Sequence, residues 1–344
     1  MLDGKVKNVA CIRLLAALSV VFSHSFLIAE STEDNEPLQR ITGEVLGIYG
    51  VFVFFIVSGY FVTRSCLLST SPGHYLWKRF LRIYPAYGVS LLITILLIAP
   101  LLSGLSFSDL NGISNFWPTV VRNLLIPADV LMIDGVELYQ SSGDSDLGIV
   151  LNPVYWTIKI EIILYLFVLF LCAFKLLNRW VTLMLCITST VLFSLEWYST
   201  VPHWGLLFGM PGFFAGSFLY LFMKDKEYTM NLSVAFLVLT MIAGCLGMAP
   251  KLFPVLVAYP VIALGFTKSR DLDKPLRSID LSYGIYVFGW PIQQSLRAIC
   301  GDGMSGWSFF AMSVPPILAA SAISWFLIEK PSLSLKSRFQ TRAE

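Results

Sequence analysis

Charge is scarce in this chain. Only 13% of its 344 residues are Asp, Glu, Lys or Arg, and 56% are hydrophobic, whereas soluble domains carry about a quarter charged residues. This balance excludes an ordinary soluble domain and indicates an integral membrane protein. The formal net charge is only +2, so the overall charge gives no indication of a nucleic-acid partner.

Paired cysteines are missing as well. The six cysteines are scattered, mostly through apolar segments, and none forms a Cys-x-x-Cys pair. Such cysteines are typical of small buried side chains, and they indicate neither a metal site nor a disulfide framework. The chain also has no internal repeat, which disfavours the transporters that are built from two duplicated halves.

Long apolar runs are what the chain has instead. A helix needs about 20 residues to cross the hydrocarbon core of a membrane, and ten runs approach that length. They predict an all-α polytopic membrane bundle of about ten transmembrane helices. A further stretch, 119–133, is short and broken by Pro127, and we interpret it as re-entrant or interfacial. The ten runs are 9–29, 46–63, 86–104, 153–174, 181–198, 205–223, 230–249, 252–267, 281–300 and 306–328.

The positions of the basic residues predict the direction of these helices. If the N-terminus is cytoplasmic, most of the 24 lysines and arginines fall in cytoplasmic segments, as the positive-inside rule requires. Both termini are then cytoplasmic. Arg13 interrupts the first run, which therefore does not resemble a signal peptide. We expect one membrane domain over residues 1–344.

Two polar residues in the first run point to chemistry. Arg13 and His24 are eleven positions apart, close to three helical turns, so they share one helix face about 16 Å apart along the axis. Ionisable groups inside a membrane span usually face a protein interior or a watery cavity, and histidine is suited to proton transfer near neutral pH. The structural alternative is a helix that begins near residue 14, with Arg13 at the headgroups.

A basic cluster, Lys78, Arg79 and Arg82, precedes the third run. If the segment is helical, the two arginines share a face. Such clusters commonly fix topology or contact anionic lipids, but arginine is also suited to binding phosphates, and coenzyme A would be a fitting cytoplasmic ligand. The Ser58-Gly59 step in the second run leaves a similar choice between helix packing and ligand contact.

The fourth run carries a carboxylate among apolar neighbours. Glu161 follows Trp156 by five positions and Lys159 by two, and it precedes Tyr165 by four. An unpaired carboxylate in such surroundings tends to take up a proton, so we expect a partner. Lys159 and the two ionisable residues of the first run are the candidates, and a purely structural ion pair is the alternative.

Two motifs near the C-terminal end complete the set of polar features. The ninth run contains LSYGIYVFGWPIQQ, in which Ser282, Tyr283 and Tyr286 form a polar flank and Pro291 predicts a kink. The last run ends in WFLIEKP, where Pro331 is expected to stop the helix. Taken singly, both motifs favour a structural role over a catalytic one.

Five segments, taken in order and spacing, resemble the integral-membrane acyltransferase family 3. They are the Arg-x10-His pair, GVFVFFIVSGYF, KRFLRIYPAY, WTIKIEIILY and WFLIEKP. The resemblance implies a ten-helix enzyme of the bacterial inner membrane that moves an acyl group, usually acetyl, from acyl-CoA to a hydroxyl. Typical acceptors are surface or exported saccharides such as O-antigen, exopolysaccharide and lipo-oligosaccharide. Many relatives carry a histidine before the Trp-Pro of the ninth run, where this chain has Gly289. Many also carry a C-terminal hydrolase-like domain, which we do not expect in this chain.

The resemblance also implies roles for the polar residues. His24 would act as the catalytic base or as a transient acyl carrier, with Arg13 and Glu161 as further catalytic residues. Acetyl-CoA is the expected acyl donor and co-substrate, and no metal is expected. The expected binding residues are Ser58, Lys78, Arg79 and Arg82 for the donor and Trp156, Lys159, Tyr165 and Tyr286 for the saccharide.

A transporter or flippase for a lipid-linked glycan is the rival interpretation. It would share the polytopic architecture and the intramembrane charges, but it would have no need of acetyl-CoA. A structural subunit of a glycan-assembly complex is a third alternative. Besides a lipid-linked or exported saccharide, the expected partners are membrane lipids and no nucleic acid. The oligomeric state is open, with a homo-oligomer among the alternatives.

Overall fold

The computed structural model of the chain describes residues 8–127, 130–139, 146–195, 204–224, 226–266 and 279–336. Within these ranges the prediction of an all-α fold is confirmed, because the only β pairing is an isolated bridge between Leu131 and Asn152. The α-helices are α1 Val9–Glu30, α2 Pro37–Thr42, α3 Leu46–Leu67, α4 Pro72–Ile93, α5 Ala99–Ser103, α6 Phe107–Gly112, α7 Phe116–Leu125, α8 Tyr155–Ala173, α9 Arg179–Ser194, α10 Trp204–Met223, α11 Met230–Cys245, α12 Ala249–Leu256, α13 Ala258–Phe266, α14 Ser282–Cys300, α15 Gly306–Ser324 and α16 Lys330–Ser334.

The ten apolar runs coincide with helices, but these helices differ in length and polarity. Among the described residues, seven helical stretches are long and apolar enough to cross a membrane. Helices α9 and α11 are apolar but have only 16 residues each, and α14 is long enough but more polar. The structure therefore supports a polytopic membrane protein, while the count of ten spans and the orientation of the termini stay predictions. Several of the basic residues on which the orientation depends, in 1–7, 267–278 and 337–344, lie outside the described residues.

The basic cluster lies on a helix that begins well before its apolar run. Helix α4 starts at Pro72, passes through Pro85 and carries Lys78, Arg79 and Arg82 on regular helical backbone. Proline at the start of a helix is favoured, since its φ is already helical and its missing N–H would have no intrahelical partner there. Apolar content marked only the later part of this helix.

Two helices contain a π-turn that ends two residues before a proline. One π-turn spans Thr94–Ile98 ahead of Pro100, and the other spans Trp325–Glu329 ahead of Pro331. Proline removes one backbone hydrogen bond, and its ring clashes with the carbonyl four residues earlier. A widened turn relieves that clash without ending the helix. The prediction that Pro331 stops the last helix is therefore wrong, because α16 continues to Ser334.

Contacts divide the chain into two compact units. The first contains Met1–Ala17, Leu38–Leu76 and Ile160–Asp280, and the second contains Leu18–Pro37, Trp77–Lys159 and Leu281–Glu344. Each unit is described by itself below. The expectation of one membrane domain over residues 1–344 stays a prediction.

In the first unit, α3 and α10 cross with their backbones in contact. A Cβ atom built on Gly59 would overlap the carbonyl oxygen of Phe213, and one built on Gly216 would overlap the carbonyl oxygen of Ile56. Small residues at such a crossing allow close helix packing in membranes. Gly59 of the Ser58-Gly59 step therefore serves helix packing.

In the second unit, α14 packs against α15 and against the second half of α1. A Cβ atom built on Gly284 would lie 2.9 Å from Cα of Ser321, and one built on Gly289 would lie 3.1 Å from Cγ2 of Val21. These two glycines bring α14 close to both neighbours. The second contact positions the part of α1 that carries His24.

Candidate active site

His24 lies on α1 in the second unit, against Trp290 of α14. The two ring centroids are 4.8 Å apart, and the ring planes are perpendicular, at 90°. The imidazole is half-buried. Within the part of the chain that the structure describes, it makes no hydrogen bond to another residue. Its nitrogen atoms are therefore free to exchange a proton with a bound reactant, as a general base must.

Polar side chains of α14 bind the backbone of α1 on both sides of the histidine. The Nε2 atom of Gln293 donates to the carbonyl of Val21 at 3.0 Å and to Oγ of Ser25 at 2.8 Å. The Nε atom of Arg297 donates to the carbonyl of Ile28 at 3.1 Å. Our sequence analysis did not select these residues. The available signal was their spacing of four within a hydrophobic run, which places both on one helix face.

The segment before α8 is hydrogen-bonded along α14. The indole Nε1 of Trp290 donates to the carbonyl of Val150 at 3.0 Å, and Nε2 of Gln294 donates to the same carbonyl at 3.1 Å. Two residues on, Nδ2 of Asn152 donates to the carbonyl of Val287 at 3.2 Å. The tryptophan that contacts His24 is therefore fixed by this segment at its indole nitrogen.

In the first unit, Glu161 accepts hydrogen bonds from two hydroxyl groups. The Oγ atom of Ser58 donates to its Oε1 at 2.8 Å, and the hydroxyl of Tyr165 donates to the same oxygen. The Tyr165 backbone is itself fixed, because the hydroxyl of Tyr75 donates to its carbonyl at 2.9 Å. The structure thus brings together three predicted site residues, and Ser58 contacts a carboxylate that the sequence analysis had not paired with it.

Arg13 pairs with Asp280, also in the first unit. Their Nη1 and Oδ2 atoms are 2.7 Å apart, and the two side chains are 20% and 22% exposed. Arg13 was a candidate partner for Glu161, whose hydrogen bonds instead come from hydroxyl groups. Asp280 immediately precedes the ninth apolar run, and our sequence analysis missed it because it considered ionisable residues only inside the runs.

Arg82 of the basic cluster contacts an acidic residue of the last helical segment. Its Nη1 lies 3.8 Å from Oε2 of Glu329, and its guanidinium lies over the Tyr283 ring, 5.6 Å from the centroid. Glu329 is only 3% exposed and accepts a hydrogen bond from Ser324 at 3.1 Å. The pairing orients Arg82, and any phosphate that binds this guanidinium must compete with Glu329. Lys78 and Arg79 are half-buried on the same helix.

The remaining predicted site residues lie on α8 and α14. The hydroxyls of Tyr286 and Thr157 are 2.6 Å apart. Trp156 and Lys159, which lie one position before and two positions after Thr157, are half-buried. The hydroxyl of Tyr286 is therefore hydrogen-bonded to a side chain of α8. Across the described residues, no group of three His, Cys, Asp or Glu side chains is arranged to bind a metal ion.

Comparisons with known proteins add a second line of observation. The sequence model of acyltransferase family 3, described as an acyltransferase domain, matches residues 6–327. The chain is similar to Nodulation protein 10 of Rhizobium leguminosarum bv. viciae, with 27% identity over 99% of this chain and 96% of that protein. It is also similar to an O-acetyl transferase of Shigella phage Sf6, with 25% identity over 94% of this chain and 95% of the phage protein. No solved structure matches the chain significantly.

Proposed function

The chain belongs to acyltransferase family 3, and from this membership we propose that it transfers an acetyl group from cytoplasmic acetyl-CoA to a hydroxyl of a cell-surface or exported saccharide. The observation that carries the proposal is the family match over residues 6–327. The relative named as an O-acetyl transferase supports oxygen as the acceptor atom. O-antigen, exopolysaccharide and lipo-oligosaccharide are the proposed acceptor classes, and the bacterial cytoplasmic membrane, with both termini inside, is the proposed location.

His24 is the proposed proton-transfer residue. As a base, its imidazole removes the proton from the saccharide hydroxyl, whose oxygen attacks the thioester carbonyl. The tetrahedral oxyanion then expels the coenzyme A thiolate, which takes the proton from the imidazolium. As an acyl carrier, the imidazole nitrogen attacks the thioester carbonyl and displaces the coenzyme A thiolate, which leaves an acetyl-imidazolium. The saccharide hydroxyl then attacks this acetyl group, the bond between nitrogen and acetyl breaks, and the hydroxyl proton passes through the imidazole to the thiolate. The half-buried ring, which has no hydrogen bond to another described residue, supports either route.

The other predicted residues have proposed roles that follow from their chemistry. Lys78, Arg79 and Arg82 bind the phosphates of acetyl-CoA, since guanidinium groups form paired hydrogen bonds with phosphate oxygens. Arg13 is proposed as a further catalytic residue, and the carboxylate of Glu161 accepts hydrogen bonds from saccharide hydroxyls as it does from Ser58. The proposal contains no metal ion.

A radiolabel experiment tests the proposal. Purified protein in nanodiscs, or everted vesicles that contain it, is supplied with acetyl-CoA labelled in the acetyl group, and thiol release and label transfer to extracted glycans are measured. We expect His24→Ala to reduce both by more than about 100-fold, the range of general base catalysis. We expect Arg79→Ala/Arg82→Ala to weaken coenzyme A binding.

The matched control for the arginine variant is Arg179→Ala. Arg179 lies over the ring of Trp180 at the start of α9 and outside the proposed donor site, so its replacement should leave donor binding unchanged. Normal transfer by a folded His24→Ala protein would exclude the proposed role of the histidine. A folded wild-type protein that binds no coenzyme A would favour the transporter interpretation.

A further inference from the structure

The orientation of the His24 imidazole needs an explanation that the proposed reaction does not supply. Catalytic histidines are commonly oriented by a carboxylate or carbonyl that accepts a hydrogen bond from the second ring nitrogen. In the described ranges of this chain no residue makes such a bond to His24. What contacts the ring is the perpendicular indole of Trp290, at 4.8 Å between centroids, a favourable arrangement for two aromatic rings.

Trp290 is itself firmly positioned. Its side chain is 2% exposed, and its Nε1 is bonded to the carbonyl of Val150 at 3.0 Å. The preceding residue, Gly289, lies so close to Val21 that even a Cβ atom would be 3.1 Å from its Cγ2. Because α14 is bonded to α1 through Gln293 one turn further on, the indole is fixed relative to the histidine on both sides.

We propose that Trp290 is a positioning residue that sets the direction of the His24 imidazole, an inference that rests on the proposed acyl transfer. The indole restricts rotation of the imidazole, so that one nitrogen is presented to the reacting hydroxyl or thioester. The hydrogen bond from Trp290 to Val150, in the segment before α8, holds the indole in place against the imidazole. A displacement of about 1 Å in such a group can reduce a rate by about 100-fold.

Steady-state kinetics of two Trp290 variants test this role. Trp290→Leu removes the ring, and we expect kcat to fall by about 10- to 100-fold with the KM for acetyl-CoA changed less than about twofold, because the group acts on the reaction and not on donor binding. Trp290→Phe keeps an aromatic ring but loses the bond to Val150, so it should recover part of the lost kcat.

Trp307→Leu is the matched control. Trp307 lies on α15, is 59% exposed and packs edge-on against Phe22 and Phe26 of α1. Its loss removes an indole contact from α1 without touching the histidine. We expect its kcat to stay within about twofold of wild type. An equal fall in kcat for Trp290→Leu and Trp307→Leu would overturn the proposal, since the effect would then be general loosening of α1.

Chemical modification of His24 gives a readout that does not depend on acyl transfer. Diethyl pyrocarbonate acylates accessible imidazole nitrogens, and peptide mass spectrometry resolves His24 from the buried His74, which serves as an internal reference. We expect Trp290→Leu to change the His24 modification rate several-fold and Trp307→Leu to leave it unchanged. An unchanged rate in Trp290→Leu would overturn the positioning role. A wild-type protein without acyl transfer would instead refute the proposed function, while the modification rates would still decide the role of Trp290.

Discussion

Two carboxylates of the first unit, Glu161 and Asp280, receive hydrogen bonds from different kinds of donor. Glu161 accepts bonds from the hydroxyls of Ser58 and Tyr165, whereas Asp280 pairs with the guanidinium of Arg13. Both donors to Glu161 are uncharged hydroxyl groups, whereas the donor to Asp280 is a cationic guanidinium. In the proposed function, a saccharide hydroxyl is a further donor to Glu161 of the same kind as Ser58.

A double-mutant cycle measures the bond between Tyr165 and Glu161. Tyr165→Phe removes one donor from the carboxylate, and we expect it to lower the free energy of unfolding by about 0.5–3 kcal/mol, the range that covers hydrogen bonds to neutral and to charged groups. In a Glu161→Gln background the same change should cost less, giving a coupling of at least about 0.5 kcal/mol. Thermal unfolding in detergent reports both values. Strict additivity would show that the carboxylate is no better an acceptor for Tyr165 than the amide oxygen of glutamine, which can still accept the bond.

A charge exchange separates the structural role of Arg13 from its proposed catalytic role. Arg13→Ala leaves the Asp280 carboxylate without this partner, and we expect a loss of about 1 kcal/mol, since both side chains are partly exposed to solvent. Arg13→Asp/Asp280→Arg restores opposite charges, so unfolding temperature should recover in part. Acetyl transfer should stay low if Arg13 acts on the reaction. A double variant no more stable than Arg13→Ala would contradict the pairing.

At the scale of helices, glycine and proline determine the helix crossings and helix ends, which apolar periodicity does not predict. Hydropathy located the runs, yet the third run begins well after the start of α4. The last run ends before the end of α16. The second error came from the assumption that Pro331 ends the helix. The π-turn before it accommodates the proline, so the helix continues. Backbone widening of this kind depends on packing around the helix and leaves no local pattern in the sequence.

A pair of glycine substitutions tests the crossing of α3 and α10. Gly59→Ala places a methyl group against the Phe213 carbonyl, and we expect a loss of about 1–3 kcal/mol from overpacking, or more if the backbones cannot separate. Gly73→Ala, in the first turn of α4, meets no atom within 4 Å, so it should be neutral or stabilise the helix by up to about 1 kcal/mol. Unfolding temperatures of the two variants are compared. Similar values would show that the crossing is looser than described.

At the scale of the whole molecule, composition predicted the fold class, and ordered motifs predicted the family. The spacing of four between Glu161 and Tyr165 places both on one helix face, yet the sequence analysis expected an ionisable partner for Glu161 and did not select Tyr165 as that partner. Partners from distant segments were not predictable. Arg13 and Asp280 are 267 positions apart, and no local periodicity relates them. The same holds for His24 and Trp290, whose contact depends on how α1 and α14 pack.

Cysteine labelling tests the predicted orientation in the membrane. With both termini cytoplasmic, exposed Cys300 at the end of α14 faces the outside, and Leu68, which follows α3 and is 63% exposed, faces the cytoplasm. A variant that retains only Cys300 should react with a membrane-impermeant maleimide in intact spheroplasts. Leu68→Cys in a cysteine-free background should react only after lysis. The reverse pattern would invert the proposed topology.

The contact between Arg82 and Glu329 makes ligand binding at the basic cluster an exchange of anions. In the proposed donor site, a phosphate group that approaches Arg82 displaces the carboxylate of Glu329. The guanidinium would then have an anionic partner both before and after the donor binds. Part of the affinity for the incoming phosphate is lost to this competition. Under the proposed function, we expect the same carboxylate to favour departure of coenzyme A after transfer, because it can return to Arg82 as the product leaves. We therefore expect both the donor and the product to bind less tightly than they would if Glu329 were absent.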